Sequence, residues 1–299
     1  MATTYAESKV AKTACLICEK GNPPDAYLCA ECGAPMALVH ETVGQNREPS
    51  IVSVIGESNV GKTVYLGFLL DMLSQRAGDF EAIPKGAFSV DLQQNVVNHM
   101  ANRCFPPKTP METNQWYWAY YQICRKARQK RWYDLVMPDM AGESLAAEVE
   151  SPNTFSVIRS LLSKSEGLIL LIDAALAGNG SSQPDFFALK ILSYIDAMFK
   201  DAKSRKNKRV KTPTAIVLCK SDYCPECFDN PPRFVEANLN RLWNLCQARF
   251  DNVAFFSCSV VGSLGFATSA EHPDYVIPIP LHTSLRGVLE PFEWIIDRL

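Results

Sequence analysis

From Ile51 onward, short apolar runs alternate along the chain with longer amphipathic stretches. The runs Ile51–Ile55, Tyr117–Ile123, Tyr133–Met137, Leu168–Ile172, Ala215–Cys219 and Val253–Cys258 read as strands. Helical periodicity is clearest over Thr63–Arg76, Asn153–Ser163, Phe186–Lys200, Pro232–Arg249 and Ser284–Leu299. Strands alternating with helices predict an α/β domain with a mainly parallel sheet. Tyr117–Ile123 and Tyr133–Met137 are joined by the basic connection Arg125 to Arg131, which reads as a hairpin with one antiparallel strand at the sheet edge. Before this domain, at residues 51–299, the pattern suggests a flexible lead (1–14), a cysteine-rich piece (15–40) and a polar linker (41–50).

Composition narrows the function classes. Apolar residues make up 47% of the 299, enough for a sizeable core. A net charge of -2 gives no global basic field, which argues against wholesale coating of nucleic acid. No apolar run reaches the roughly 18 residues of a membrane span, and the first residues lack an apolar signal core. A cytoplasmic protein is expected.

The first chemistry lies at Gly56-Glu57-Ser58-Asn59-Val60-Gly61-Lys62-Thr63, which matches G-x-x-x-x-G-K-[ST] between a strand and a helix. Glycines let backbone N–H groups wrap phosphates at the positive end of a helix dipole. Ser58, Asn59, Val60, Gly61 and Val64 belong to that cradle. Lys62 is placed to reach the β- and γ-phosphates, and the Thr63 hydroxyl to ligate Mg²⁺. Downstream, the strand Tyr133–Met137 leads into Asp139-Met140-Ala141-Gly142-Glu143, and Ala215–Cys219 leads into Lys220-Ser221-Asp222. The last strand ends in Ser257-Cys258-Ser259-Val260.

In this order the elements resemble those of the Ras-like, translation-factor-class P-loop GTPases, over about residues 55–260. Gly61-Lys-Thr-Val-Tyr-Leu66, Pro106-Pro-Lys-Thr109 and Asp139–Glu143 resemble bacterial double-GTPase proteins, encoded beside components of defence or conflict systems. The resemblance implies that Asp139 holds Mg²⁺ through water and that the Gly142 N–H senses the γ-phosphate. It implies a switch threonine before the Tyr117 strand: Thr109 is the first choice and Thr113 the second. Glu143 stands where many members carry Gln and would orient the attacking water. Lys220-Ser-Asp222 resembles [NT]-K-x-D: Lys220 lies along the base, and Asp222 accepts from the guanine ring N–H and exocyclic amine. Cys219 departs from Asn or Thr there. Ser259 and the Val260 N–H fall near the guanine oxygen.

Cys15-x₂-Cys18 and Cys29-x₂-Cys32 form a zinc pattern resembling small bacterial zinc ribbons. Iron–sulfur ligation uses the same thiolates. So short a piece needs such a staple to fold. Few basic residues lie between these cysteines, which favours protein contacts over nucleic acid. Cys224 and Cys227 read as two free thiols in a loop. The basic runs Arg125 to Arg131 and Lys203 to Lys211 read as solvated loops, and the aromatic stripe Trp116–Tyr121 as one core face and one face open to a partner. Together these features predict a GTP/GDP switch with Mg²⁺, a Zn²⁺ ribbon and a protein effector. Two alternatives stay open: a hydrolysis-deficient adaptor on a GTPase fold, and an ATP-dependent P-loop protein whose ribbon grips nucleic acid.

Overall fold

The computed structural model describes residues 12–42, 48–126, 132–203, 209–268 and 276–299. Residues 1–11 of the expected lead, 43–47 of the linker, and 127–131 and 204–208 of the basic runs lie outside the described residues.

The cysteine-rich piece is a small ribbon. Strands β1 (Thr13–Ala14) and β2 (Gly21–Asn22) pair antiparallel, and the short helix α1 (Ala37–His40) follows. Thr13 and Ala14, read from sequence as lead, therefore belong to the ribbon.

The main unit is one seven-stranded sheet. Its first strand, β3 (Ser50–Gly56), runs into helix α2 (Lys62–Ser74). Then come β4 (Phe80–Pro84), α3 (Phe88–Ala101), β5 (Tyr117–Arg125), β6 (Trp132–Asp139), α4 (Gly142–Glu150), α5 (Ser156–Lys164) and β7 (Ser165–Asp173). After α6 (Ala174–Gly178) and α7 (Gln183–Lys203) the chain forms β8 (Thr214–Cys219), α8 (Glu226–Asp229), α9 (Pro231–Asn238), α10 (Asn240–Arg249) and β9 (Val253–Ser257). The strand order is β4-β5-β6-β3-β7-β8-β9. β3 pairs in parallel with β6 on one side and β7 on the other, and β7, β8 and β9 continue in parallel. Neighbouring side chains on each strand feed opposite cores. Ile51 and Ile55 join the core under α5 and α7, while Val52 and Val54 join the one under α2 and α3.

The mixed, mainly parallel sheet expected from the apolar pattern is present, with four differences in detail. Its antiparallel edge holds two strands, because β4 covers β5. Trp118 and Tyr120 fill one core, and Ala119 and Tyr121 the other. The aromatic stripe therefore leaves no face for a partner. The helical run Pro232–Arg249 breaks at Leu239, whose φ of -131° is not helical. Ser284–Leu299 is not one helix. Its first residues finish β11 (Val276–Arg286), which pairs antiparallel with β10 (Ser259–Thr268) in a separate ribbon, and only α11 (Leu289–Ile296) is helical. No helix among the described residues is long and apolar enough to cross a membrane.

The orientation of α10 is set from α7. Buried Asp185 accepts from the Leu242 amide at 2.9 Å and from the Arg241 guanidinium at 3.1 Å. Asp185→Ala leaves that amide unpaired inside the protein, so urea unfolding should show a loss of about 1–3 kcal/mol.

Candidate functional site

Every parallel strand ends at the same edge of the sheet, where ligands of open α/β sheets bind. There β3 delivers the loop 56–63, β6 delivers Asp139, β7 delivers Asp173, and β8 delivers Lys220 and Asp222. A cleft of about 570 Å³ runs along this edge. Of the residues expected from sequence, Ser58 through Val64, Thr109, Gly142, Glu143, Lys220, Asp222 and Val260 line it. Gly56, Asp139 and Ser259 are joined by hydrogen bonds to the lining residues Lys62, Thr63 and Asp222.

At the loop, Asn59 (φ 63°) and Gly61 (φ 100°) adopt left-handed conformations, and the chain enters α2 at Lys62. The Lys62 ammonium is buried and donates to the carbonyls of Gly56 at 3.0 Å and Glu57 at 2.8 Å. Burial pushes its pKa down, while Asp139, Glu143 and Glu57 pull it back up.

Three oxygen groups from separate elements meet beside this lysine. Thr63 donates to Asp139 Oδ2 at 3.0 Å, Thr109 donates to the same oxygen at 2.8 Å, and the two hydroxyls are 3.0 Å apart. Asp139 is 1% exposed. Burial raises its carboxyl pKa against the opposing hydrogen bonds of Thr109 and Thr63 and the charge of Lys62. Its Oδ1 is buried and has no hydrogen-bond partner among the described residues. Of the two switch candidates, Thr109 is the one brought here. Thr113 sits in the 3₁₀ turn Thr113–Gln115, against the cysteine ribbon.

Gly142 opens α4 against the phosphate loop. A Cβ there would lie 2.5 Å from the Ser58 amide nitrogen and 2.9 Å from Lys62 Nζ. Next to it, Glu143 accepts from the Ser58 hydroxyl at 2.5 Å, with Lys108 Nζ 3.7 Å away. Burial alone would raise the Glu143 carboxyl pKa. The Ser58 hydrogen bond, its own backbone amide and the charges of Lys108 and Lys62 together hold it below the usual range.

At the other end of the cleft, Lys220 takes a left-handed φ of 57° and pairs with Asp173 Oδ2 at 2.6 Å. Asp222 is exposed and accepts from Ser259 at 2.9 Å. Cys219 and Cys258 bury their thiols in the wall between them.

Sequence reasoning missed Asp173 as the partner of Lys220, although its place at the end of an apolar strand was a usable signal. It also missed Lys108 as a neighbour of Glu143. Val261, Leu264 and Pro278, the part of the wall supplied by β10 and β11, carried no signal.

In the ribbon, the four sulfurs of Cys15, Cys18, Cys29 and Cys32 lie within 4.8 Å of one another. Cys15 and Cys32 are 3.7 Å apart, and Cys18 and Cys29 3.5 Å. Four bonds of 2.3 Å in a tetrahedron put sulfurs about 3.8 Å apart. Amide donors surround the cluster: the Ile17 N–H and the Asn22 side chain each reach a sulfur at 3.4 Å. Cys224 and Cys227 are buried free thiols outside this cluster. Three described members of the basic runs are engaged within the chain: Arg125 pairs with Asp297 at 2.9 Å, Lys126 donates to the Arg76 and Gly78 carbonyls, and Arg209 pairs with Asp251 at 2.8 Å.

The strand order, the phosphate loop and the position of Asp139 define a P-loop GTPase fold. The model of the Double-GTPase 1 family matches residues 53–262, more than half of the chain, and the chain belongs to that family. No curated protein matches. Among solved structures, the chain is similar to the signal recognition particle receptor SRb-GTP/SRX complex from Chaetomium thermophilum. The identity is 15%, over 71% of this chain and 94% of that one, with a TM-score of 0.37. It is also similar to the GTP-bound GTPase-like domain of Ski7 from S. cerevisiae, at 19% identity over 74% of this chain and 45% of that one, with a TM-score of 0.39. A GTP-binding protein from Sulfolobus solfataricus in complex with GDP matches at 16% identity over 70% of this chain and 46% of that one, with a TM-score of 0.33.

The contact at Gly142 is a sharp test of how α4 meets the phosphate loop. Gly142→Ala forces a methyl onto the Ser58 amide and should lower stability by about 1–3 kcal/mol, read as a fall in Tm.

Proposed function

We propose that the cleft binds a guanine nucleotide with Mg²⁺, and that the chain is a switch that hydrolyses GTP to GDP and changes its affinity for a protein partner. The observation that carries this reading is the meeting of Thr63, Thr109 and Asp139 beside Lys62. It assembles hard oxygen donors from three elements, one with a buried oxygen that has no hydrogen-bond partner among the described residues. Such a donor set fits Mg²⁺, which prefers a few protein oxygens and keeps waters and phosphate for its remaining positions. Bound there, the ion would neutralise charge that develops on the phosphates.

The chain's own residues account for the rest of the proposed reaction. Lys62 turns from its two carbonyls to the β- and γ-phosphates. The Gly142 amide, at the N-terminus of α4, faces the γ-phosphate. Glu143 accepts a hydrogen bond from the attacking water, whose oxygen bonds to the γ-phosphorus as the bond to the β-bridging oxygen breaks. Loss of phosphate then frees Thr109 and Gly142, the order–disorder form of switching. The hydrogen bond between Glu143 and Ser58 favours slow intrinsic turnover, raised by a partner that draws Glu143 away. It equally favours the adaptor reading, in which hydrolysis does not occur. Single-turnover hydrolysis separates the two.

Asp222, exposed and aligned by Ser259, is the proposed guanine reader. The four cysteines are proposed to hold Zn²⁺ in a closed, structural site, for which their spacing and amide donors are suited.

The nucleotide that copurifies with the protein, released by denaturation and identified by chromatography, tests the central claim. GDP or GTP supports it, and ADP or ATP overturns the guanine assignment. Lys62→Ala should abolish binding in a nucleotide titration, and retained tight binding would sink the phosphate-loop assignment. Asp222→Ala should lower the preference for GTP over ATP by about ten- to a hundredfold, the worth of a charge-assisted hydrogen bond, with the metal content of the ribbon unchanged.

A further inference from the structure

The cysteine ribbon packs against the segment that carries Thr109. Gly33 closes the second cysteine knuckle, its amide donating to the Cys29 carbonyl at 2.9 Å. It does so at a φ of +72°, with its Cα against the backbone of the Thr113–Gln115 turn. A Cβ on Gly33 would lie 2.7 Å from the Asn114 nitrogen and 2.9 Å from the Thr113 carbonyl carbon. Trp116, 5% exposed, shares one core with Cys15, Ile17, Cys29, Cys32, Met36 and Leu38. From there its indole N–H reaches back to the Pro110 carbonyl at 2.9 Å and closes the loop 110–116. Ser144, in α4, holds the Met111 carbonyl at 3.0 Å. Thr109 immediately precedes this loop.

The other side of the ribbon is fixed to α5. Lys164 donates to the Leu16 carbonyl at 3.0 Å and pairs with Glu19 at 2.7 Å. The ribbon is thus held to the main unit at one side and forms the wall behind the Thr109 segment at the other.

We propose that the ribbon is a metal-dependent backstop for the nucleotide site: metal held by Cys15, Cys18, Cys29 and Cys32 raises the affinity for the triphosphate form through Gly33, Asn114 and Trp116. The proposal rests on the reading of the cleft as a nucleotide site with Thr109 as its γ-phosphate-dependent switch residue. A module of this size keeps its shape only while its ligands are joined. When it loosens, Trp116 loses the surface that closes loop 110–116, and Thr109 is no longer held over Asp139. The diphosphate form makes no demand on Thr109 and is unaffected. Linkage then works in both directions: the triphosphate must tighten metal binding by the same factor by which the metal tightens triphosphate binding.

The test uses the full chain. Zn²⁺ affinity is measured by competition with a chromogenic chelator, in Mg²⁺ with saturating GDP or a non-hydrolysable GTP analogue. We expect Zn²⁺ to bind about fivefold or more tightly with the analogue, the lower range of allosteric couplings. Equal Zn²⁺ affinities while both nucleotides bind would overturn the coupling and leave the nucleotide reading standing. Failure of both nucleotides to bind would overturn both.

Gly33→Ala provides a second measurement, with the metal content determined alongside. All four cysteines remain, but a methyl presses on Asn114. The ratio of analogue to GDP affinity should fall about fivefold or more, whether the variant keeps its zinc or loses it. An unchanged ratio would overturn the proposal.

Discussion

A lysine and an aspartate, Lys62 and Asp139, are both buried at the carboxyl edge of the sheet, each within reach of the other's charge, and the surrounding structure is arranged around that constraint. Asp139 and Lys62 are 1% and 7% exposed. Neither charge is tolerable in isolation, because an unpaired ion inside a protein costs several kcal/mol. The strand order brings the two charges to one place: β6 lies beside β3 in parallel, with Val54 opposite Asp139. The phosphate loop leaving β3 then turns Lys62 back over its own carbonyls, and Thr63 and Thr109 close on the carboxylate. The parallel centre of the sheet and the return of the Thr109 segment both serve this one cluster.

How much of this was legible depended on whether a residue's role is local. The phosphate loop follows from spacing, and Asp139 from its place after a strand. The choice between Thr109 and Thr113 was not a local matter. Both precede β5, and only the tertiary path shows that one reaches Asp139 while the other rests on the ribbon. The Phe80–Pro84 strand is short and partly exposed, so it gave no clear period. Helix α3 had a readable face in Leu92, Val96 and Met100 that the reading of the apolar pattern left unassigned. Pro278 and Pro280 concealed β11, since proline speaks against a central strand and is tolerated in a two-stranded ribbon.

The two small ribbons meet the cleft from different ends. The cysteine ribbon sets Gly33 against the Thr113–Asn114 backbone, behind the segment that carries Thr109. The pair β10–β11 walls the Asp222 end with Val260, Val261, Leu264 and Pro278. Beyond that wall it exposes Phe266, Val276, Ile277 and Leu281. Both ends of the cleft therefore border on pieces outside the main sheet.

Cys219 shows how the Asp222 end of the cleft differs from the Lys62 end. In the motif that Lys220 and Asp222 resemble, this position carries a side chain that hydrogen-bonds well. Here it ends β8 as a thiol packed in the core with Cys258. A thiol is a weak donor and a weak acceptor, so this position contributes packing rather than polar contact. The polar work at this end falls to groups held by others: Lys220 by Asp173, and Asp222 by Ser259. Because Ser259 opens β10, the orientation of Asp222 is tied to the β10–β11 pair rather than to β8 alone. If Asp222 reads the base as proposed, its specificity requires that pair to stay seated against the sheet.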